Sequence, residues 1–333
     1  MILKEPRINI LICGVSRSGS QSLVDLFGEY NNIGIYPGEF DDFRAPGMVA
    51  DQLEEKLRQD WPSLIQKSLQ IPSRKSRILQ RLYFNPHFQK TKLERFVKSF
   101  EPLNRRINSS IKRQRLMNLD RVLQSGASQE EKLRATKDWV QAVGDIYCNG
   151  DRKYRYFLFD QPLTLSTNID VVKKVFEPFK MICSLRDPKD QMANVIKDKY
   201  LFLPYGAPRM NWGGDFLQAQ YGRTRKGAFK MWVNDINIKY KRTDALEKQL
   251  GSDRFKVINF ESLVKDYDRT VAGLESFVGL KPENHTNQKK YFNPQVSIKN
   301  VGYHAQYLKP EEYELLKDLE RMYYERFPID GSK

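Results

Sequence analysis

Histidine and cysteine are both scarce in this chain of 333 residues, at three each. Cys13, Cys148 and Cys183 are an odd number and lack metal-ligand spacing, which argues against a zinc site or a disulfide framework. They read as small buried apolar residues in a reducing compartment. No uninterrupted apolar run reaches the roughly 18 residues that a membrane-spanning helix requires. The start, "MILKEPRINI", runs directly into a predicted strand, without the apolar stretch and small-residue cleavage site of a secretory leader. The expected setting is the cytoplasm, with attachment to a membrane surface left open by the charge. Acidic residues are also short, 41 against 56 Lys and Arg, for a net charge of +15. Residues 51–125 hold 17 Lys and Arg against 7 Asp and Glu, so +10 of that excess falls in one stretch. Such a stretch is either a solvated helical surface or a platform for an acidic polymer or an anionic membrane. Nothing in it is specific for nucleic acid.

Hydrophobic residues make up 40% of the chain, enough for a large core. Five short apolar runs read as strands: Ile8–Cys13, Ile33–Tyr36, Tyr156–Phe159, Lys180–Leu185 and Phe255–Phe260. They do not alternate with polar residues, as expected of strands buried on both faces. Helical patterns fall between them, at 20–30, 128–147, 165–176, 188–199, 224–250 and 261–278, and a last one at 310–327. Ser128 and Glu131 form a capping-box signature. The expected fold is α/β, a central parallel sheet of five strands flanked by helices, like that of P-loop NTPases. Residues 1–333 are expected to form a single domain, with 44–150 as a basic helical insertion. Residues 200–223, rich in Gly, Pro and aromatics, read as a loop or lid. There are no internal repeats.

The first strand runs into "LICGVSRSGSQSL", residues 11–23. Gly14 and Gly19 have the spacing of a Walker A loop, but Ser20 and Gln21 stand where Lys and Ser or Thr would follow. A strand, a glycine loop and a helix N-terminus make a cradle for an anion, because amides and the helix dipole converge there. Arg17 supplies a planar fixed charge, and Ser16, Ser18, Ser20 and Ser22 offer hydroxyls. A nucleoside-triphosphate kinase needs the missing Lys and a magnesium-binding hydroxyl. A phosphosulfate needs neither, and no metal is expected.

Two further stretches carry similar chemistry. In "KMICSLRDPKDQMANVI" a strand ends at Arg186, where open α/β sheets bind ligands, and Asn194 lies on the helix that follows. A structural ion pair of Arg186 with Asp187 or Asp190 is the competing reading. In "VSIKNVGYHAQYL" the residues Lys299, Asn300 and Gly302 form a short basic loop.

Together these stretches resemble the sulfotransferases that use 3′-phosphoadenosine 5′-phosphosulfate (PAPS). "GVSRSGSQSL" is similar to that family's 5′-phosphosulfate loop, whose common form is Pro-(Lys/Arg)-Ser-Gly-Thr. "SLRDPKDQMAN" is similar to its 3′-phosphate motif, with Asn194 where the family has Ser. "INFESLVKDYDRTVAGLESFVGL" resembles its segment after the last sheet strand, with Phe260 where Tyr is common, and "SIKNVGYH" resembles its C-terminal loop. The family's Lys-(Ser/Thr)-Pro appears as Asp160-Gln161-Pro162. The resemblance implies a PAPS-dependent sulfotransferase that binds its co-substrate through Arg17, Ser18, Gly19, Ser20, Gln21, Ser22, Arg186, Asn194, Lys299, Asn300 and Gly302. Arg17 would also hold charge that develops during transfer.

None of the histidines lies in a stretch like the His-Leu-Pro of cytosolic sulfotransferases. His87 and His285 read as surface residues, and His304 follows the C-terminal loop. "IGIYPGEFDDF" resembles the segment of glycan-directed sulfotransferases in which a Glu is the general base. Glu39 is therefore the expected base and Asp160 the alternative. The implied acceptor is a hydroxyl on a glycan or glycolipid. The rivals are a small-molecule kinase and a non-catalytic binder of anionic polymers.

Overall fold

A computed structural model describes residues 6–15, 17–44, 48–54, 114–148, 150–151, 153–163, 167–198, 201 and 224–328. Most of the expected 44–150 insertion and its basic stretch, 55–113, lies outside the described residues, as do Ser16, His87 and, apart from residue 201, the expected lid at 200–223. Of the insertion, residues 114–124 are helical.

Five parallel strands form one sheet in the order β2-β3-β1-β4-β5. These are β1 (Ile8–Gly14), β2 (Ile33–Glu39), β3 (Tyr156–Asp160), β4 (Phe179–Leu185) and β5 (Phe255–Asn259). Tyr156–Asp160 and most of Phe179–Leu185 are buried, as their unbroken apolar runs require. The main helices are α1 (Ser20–Phe27), α2 (Gln129–Tyr147), α3 (Ile169–Phe176), α4 (Pro188–Lys197), α5 (Arg225–Leu250), α6 (Phe260–Lys265), α7 (Tyr267–Val278) and α8 (Lys317–Arg326). Ser128 caps α2 in a full capping box with Glu131. Helix α3 starts four residues later than its apolar pattern, where the Asn168 side chain accepts the Asp170 N–H. No helix among the described residues is long and apolar enough to cross a membrane.

Strand β2 runs three residues beyond its apolar pattern. Pro37 and Gly38, which read as a stop, are a bulge: pairing to β3 breaks between Ile35 and Glu39, then resumes with Glu39 opposite Asp160.

The chain divides into two compact units, one of residues 1–12, 24–181 and 281–291, the other of 13–23, 182–280 and 292–333. The first has an aromatic core. Phe40 and Phe43 are fully buried, with Phe40 against Tyr36 (ring centroids 4.7 Å apart), Phe159 (4.5 Å) and Trp139 (5.5 Å). Rings of this size dominate burial energetics, so the backbone just after Glu39 is firmly held. In the second unit, Phe229, Trp232, Ile236 and Tyr240 recur at helical spacing on the buried face of α5.

His285 is not a surface residue. It is 6% exposed, stacks on Tyr30 (4.3 Å) and its Nε2 meets the Glu29 carboxylate at 2.8 Å. Glu29 is fully buried and also accepts the amides of Lys289 (3.0 Å) and Tyr291 (2.8 Å). A buried carboxylate needs such partners, and the local polarity of residues 281–291 does not reveal them.

Candidate functional site

The cradle lies wholly within the second unit. Between β1 and α1 the loop turns through two left-handed residues, Arg17 (φ +62°) and Gly19 (φ +88°). At Gly19 a side chain is excluded twice over: its Cβ would sit 2.5 Å from Cδ2 of Phe260, at a backbone angle L-residues avoid. A Cβ at Gly14 would lie 2.7 Å from that of Ser20. The loop is therefore built around small residues and closed by the Phe260 ring. Side chains from β4 and α4 hold it: Ser184 donates to the Ser18 carbonyl (2.7 Å), and the Gln191 amide donates to that of Val15 (2.5 Å). Within α1's first turn, the Ser22 N–H donates to the Gly19 carbonyl (2.8 Å); Gln21 is exposed, and Ser20 and Ser22 are half-buried.

Arg186 follows β4 and is 4% exposed. Its guanidinium donates to two backbone carbonyls, Nη1 to Arg17 (3.4 Å) and Nη2 to Asn300 (2.5 Å). It lies over the rings of Phe260 (4.9 Å) and Tyr303 (5.5 Å). The Tyr240 hydroxyl holds its carbonyl at 3.0 Å. Among the described residues Arg186 forms no ion pair, and its Nε is buried without a hydrogen-bond partner. The Oγ of Ser18, in the loop that Arg186 touches, is likewise buried without a partner. Two buried donors left unmet in one cradle are costly unless a ligand meets them.

The acids beside Arg186 are engaged elsewhere. Asp187 caps α4 by accepting the Lys189 N–H (2.8 Å), and its second oxygen accepts the Tyr324 hydroxyl (2.5 Å). Its own N–H donates to Glu261 (3.1 Å), which also takes the Tyr323 hydroxyl. Burial pushes the Glu261 carboxyl up, and the hydrogen bonds from Tyr323 and Asp187 only partly offset it. Asp190, 1% exposed, accepts the amides of Gly302 (2.5 Å) and His304 (3.1 Å). Burial raises its pKa too, against the pull of Gly302 and Arg186. The competing ion-pair reading of Arg186 thus fails on geometry.

The structure brings Arg17, Ser18, Gly19, Arg186 and Asn300 together. Asn194 is half-buried on α4, within hydrogen-bonding reach of the Tyr303 hydroxyl. Lys299 is exposed. Gly302 serves through its amide, and the His304 ring faces the Tyr313 hydroxyl (3.0 Å). The Arg17 guanidinium pairs with Asp198 at 3.3 Å, both side chains partly exposed. Ser184, Asp190, Gln191, Glu261 and Tyr303 were not identified as site residues from the sequence. The only signals were polar residues inside apolar runs and the second Asp of "RDPKD".

In the first unit, Glu39 and Asp160, the expected base and its alternative, stand opposite each other in register. Asp160 is 5% exposed, whereas the Glu39 side chain keeps 28% of its surface. Arg44 pairs with Glu39 and with Asp41 (3.2 Å). Burial alone would lower the Arg44 pKa, yet Glu39, Asp41 and Asp160 raise it on balance. Asp41 and Asp42 are buried in a helical turn over 41–44, where Asp42 accepts the Tyr36 hydroxyl (2.7 Å). The "EFDDF" run is therefore not a solvated acidic loop. Glu39 is the more accessible of the two paired carboxylates.

A model of the sulfotransferase family matches residues 9–284. No curated protein sequence matches significantly. Among solved structures, similarity extends to sulfotransferase STF9 from Mycobacterium avium (12% identity, 98% of this chain and 78% of that one, TM-score 0.45). It also extends to a sulfotransferase from Alicyclobacillus acidocaldarius (13%, 95% and 97%, TM-score 0.42) and to the sulfotransferase domain of the Synechococcus PCC 7002 olefin synthase (16%, 99% and 91%, TM-score 0.37).

Proposed function

The chain belongs to the sulfotransferase family, and on that premise we propose that it moves the sulfuryl group of PAPS to an acceptor hydroxyl, with Glu39 as base. The observation that carries this reading is Arg186: a buried guanidinium with no ion pair among the described residues, in a cradle where its Nε and the Ser18 Oγ both lack partners. A bound phosphate and phosphosulfate would meet donors of this kind. In this reading residues 16–22 hold the phosphosulfate, with Ser20, Gln21 and Ser22 on the first turn of α1. Arg186, Asn194 and the 299–302 loop hold the 3′-phosphate. PAPS supplies an activated S–O bond. The chain supplies orientation, positive charge and a proton acceptor. Arg17 supplies charge beside the loop, and Arg44 fixes the direction of the Glu39 carboxylate.

The acceptor in this reading is a sugar hydroxyl on a glycan or glycolipid, which a carboxylate base suits. The basic 51–125 stretch would attract an anionic glycan or a membrane surface, and the setting is cytoplasmic. The test is transfer of ³⁵S from labelled PAPS to a panel of glycan, glycolipid and phenolic acceptors. It is paired with melting curves in adenosine 3′,5′-bisphosphate and in ATP with magnesium. Transfer to a sugar hydroxyl, with a rise in melting point from the bisphosphate alone, is expected. A rise only with magnesium-ATP would overturn the reading in favour of a kinase.

A further inference from the structure

We propose that Asp190 is a positioning residue whose buried carboxylate latches the 300–304 loop onto Arg186, and thereby sets how strongly the site demands a phosphate at the nucleotide's 3′ position. The inference rests on the reading of Arg186 as the 3′-phosphate anchor.

Three contacts tie the loop to this corner. Gly302 and His304 each donate a backbone N–H to the two oxygens of Asp190, at 2.5 and 3.1 Å. Between them, the Tyr303 hydroxyl reaches the Asp190 carbonyl at 3.4 Å. Two residues before Gly302, the Asn300 carbonyl accepts from Arg186 Nη2, and the Tyr303 ring covers the guanidinium at 5.5 Å. Asp190 thus fixes the residues that fix Arg186 on one side, while Phe260 and the Arg17 carbonyl fix it on the other. A carboxylate is an acceptor only, so one side chain can take both amides. An asparagine has the same shape but one acceptor oxygen, and its NH₂ would face the second amide donor to donor. The position is 1% exposed, so water does not replace the lost bond.

The chemistry fits a latch better than a counter-charge. Were Asp190 present to neutralise Arg186, it would face the guanidinium directly; its oxygens are instead directed at amides 112 and 114 residues further along the chain. A loosened latch would let Asn300 and Tyr303 move off Arg186, and the cost would fall on ligands that use Arg186. A nucleotide without a 3′-phosphate would lose little.

The test compares wild type and Asp190→Asn, as full chains, titrated with adenosine 3′,5′-bisphosphate and with adenosine 5′-monophosphate. The wild type is expected to prefer the bisphosphate. In the variant that preference should shrink by about 10-fold, as expected for loss of one charge-assisted hydrogen bond, with monophosphate affinity little changed. An unchanged ratio, equal losses for both nucleotides, or tighter bisphosphate binding would each overturn the proposal. Hydrogen exchange on the ligand-free wild type needs no variant: the Gly302 and His304 amides should be protected, and solvent-like exchange at both overturns the latch. A wild type that binds neither nucleotide overturns the reading of the site, and this inference with it. A wild type that prefers the bisphosphate, beside an unchanged ratio in the variant, overturns the inference alone.

Discussion

Replacing Gly19 with alanine tests the construction of the cradle most directly, because the structure assigns two separable costs to a single methyl group. The first is conformational: φ at Gly19 is +88°, and an L-residue there costs about 1–2 kcal/mol. The second is steric: the new Cβ would lie 2.5 Å from Cδ2 of Phe260 and 3.2 Å from its Cε2 and Cγ. Phe260 is 4% exposed and packed against Arg186, so its ring has little room to yield. Overpacking of this kind costs about 1–3 kcal/mol. Gly19→Ala should therefore destabilise by about 2–5 kcal/mol. Phe260→Ala alone leaves a cavity and should cost about 3–5 kcal/mol. In the double variant the clash is gone and only the backbone cost of the Gly19→Ala change remains. The two losses should fall short of additive by the steric part, about 1–3 kcal/mol. Urea unfolding of the four proteins measures this, provided that m is unchanged. Additivity within about 0.5 kcal/mol would refute the idea that Phe260 is what keeps residue 19 a glycine.

Three further outcomes follow from the same geometry. Arg186→Ala should weaken adenosine 3′,5′-bisphosphate binding by at least about 30-fold, the lower end of the roughly 2–5 kcal/mol a desolvated charge contact carries; calorimetric titration reads it. Glu39→Gln should cut ³⁵S transfer by about 10²–10⁴-fold while the bisphosphate Kd stays within about 3-fold, and unchanged turnover would remove Glu39 as base. The raised Glu261 carboxyl means that the folded chain binds its proton more tightly than the unfolded one. Stability from this group is greatest below the usual carboxylate pKa of about 4.3 and falls as pH rises towards the folded value. Asp190 adds to the decline with the same sign. Glu261→Gln should therefore flatten the fall of the urea midpoint between about pH 4 and pH 7, and an unaltered slope would contradict the assignment.

The strands were legible because a parallel sheet buries both faces, so Tyr156–Phe159 and Lys180–Leu185 are written as plain apolar runs. The end of β2 was not. Pro37 and Gly38 break the local pattern, and only pairing with β3 draws Glu39 into the strand. The glycine loop and Arg186 were legible because a close approach and a fixed charge each need a particular residue type. Their supports were not, since those are settled by contacts far along the chain. "RDPKD" looks locally like an arginine among its own counter-ions. Asp187 is instead taken up by the Tyr324 hydroxyl and by the Lys189 amide at the α4 cap, and Asp190 by amides more than a hundred residues away. His285 shows the same limit: its polar surroundings suggest a surface, and a glutamate 256 residues away determines that it is buried.

The candidate groups are divided between the units in a way that separates two kinds of defect. Arg17, Ser18, Gly19, Arg186, Asn194 and Asn300 fall in the second unit; Glu39, Arg44 and Asp160 fall in the first. Within the second, the cradle is supported by Ser184, Gln191, Asp190 and Phe260, all belonging to that unit. Within the first, Glu39 is held by Arg44 and by the pairing of β2 with β3. The supports named for each set lie within its own unit. Nucleotide affinity and proton acceptance should therefore fail independently. Changes at Arg186 or Ser184 should raise the Kd for adenosine 3′,5′-bisphosphate. Changes at Glu39 or Arg44 should lower kcat at saturating PAPS and leave that Kd in place. Arg44→Ala is the sharper of the latter pair, because it leaves the Glu39 carboxylate intact and removes the cation that fixes its direction. Its rate loss should be smaller than that of Glu39→Gln, which removes the proton acceptor itself.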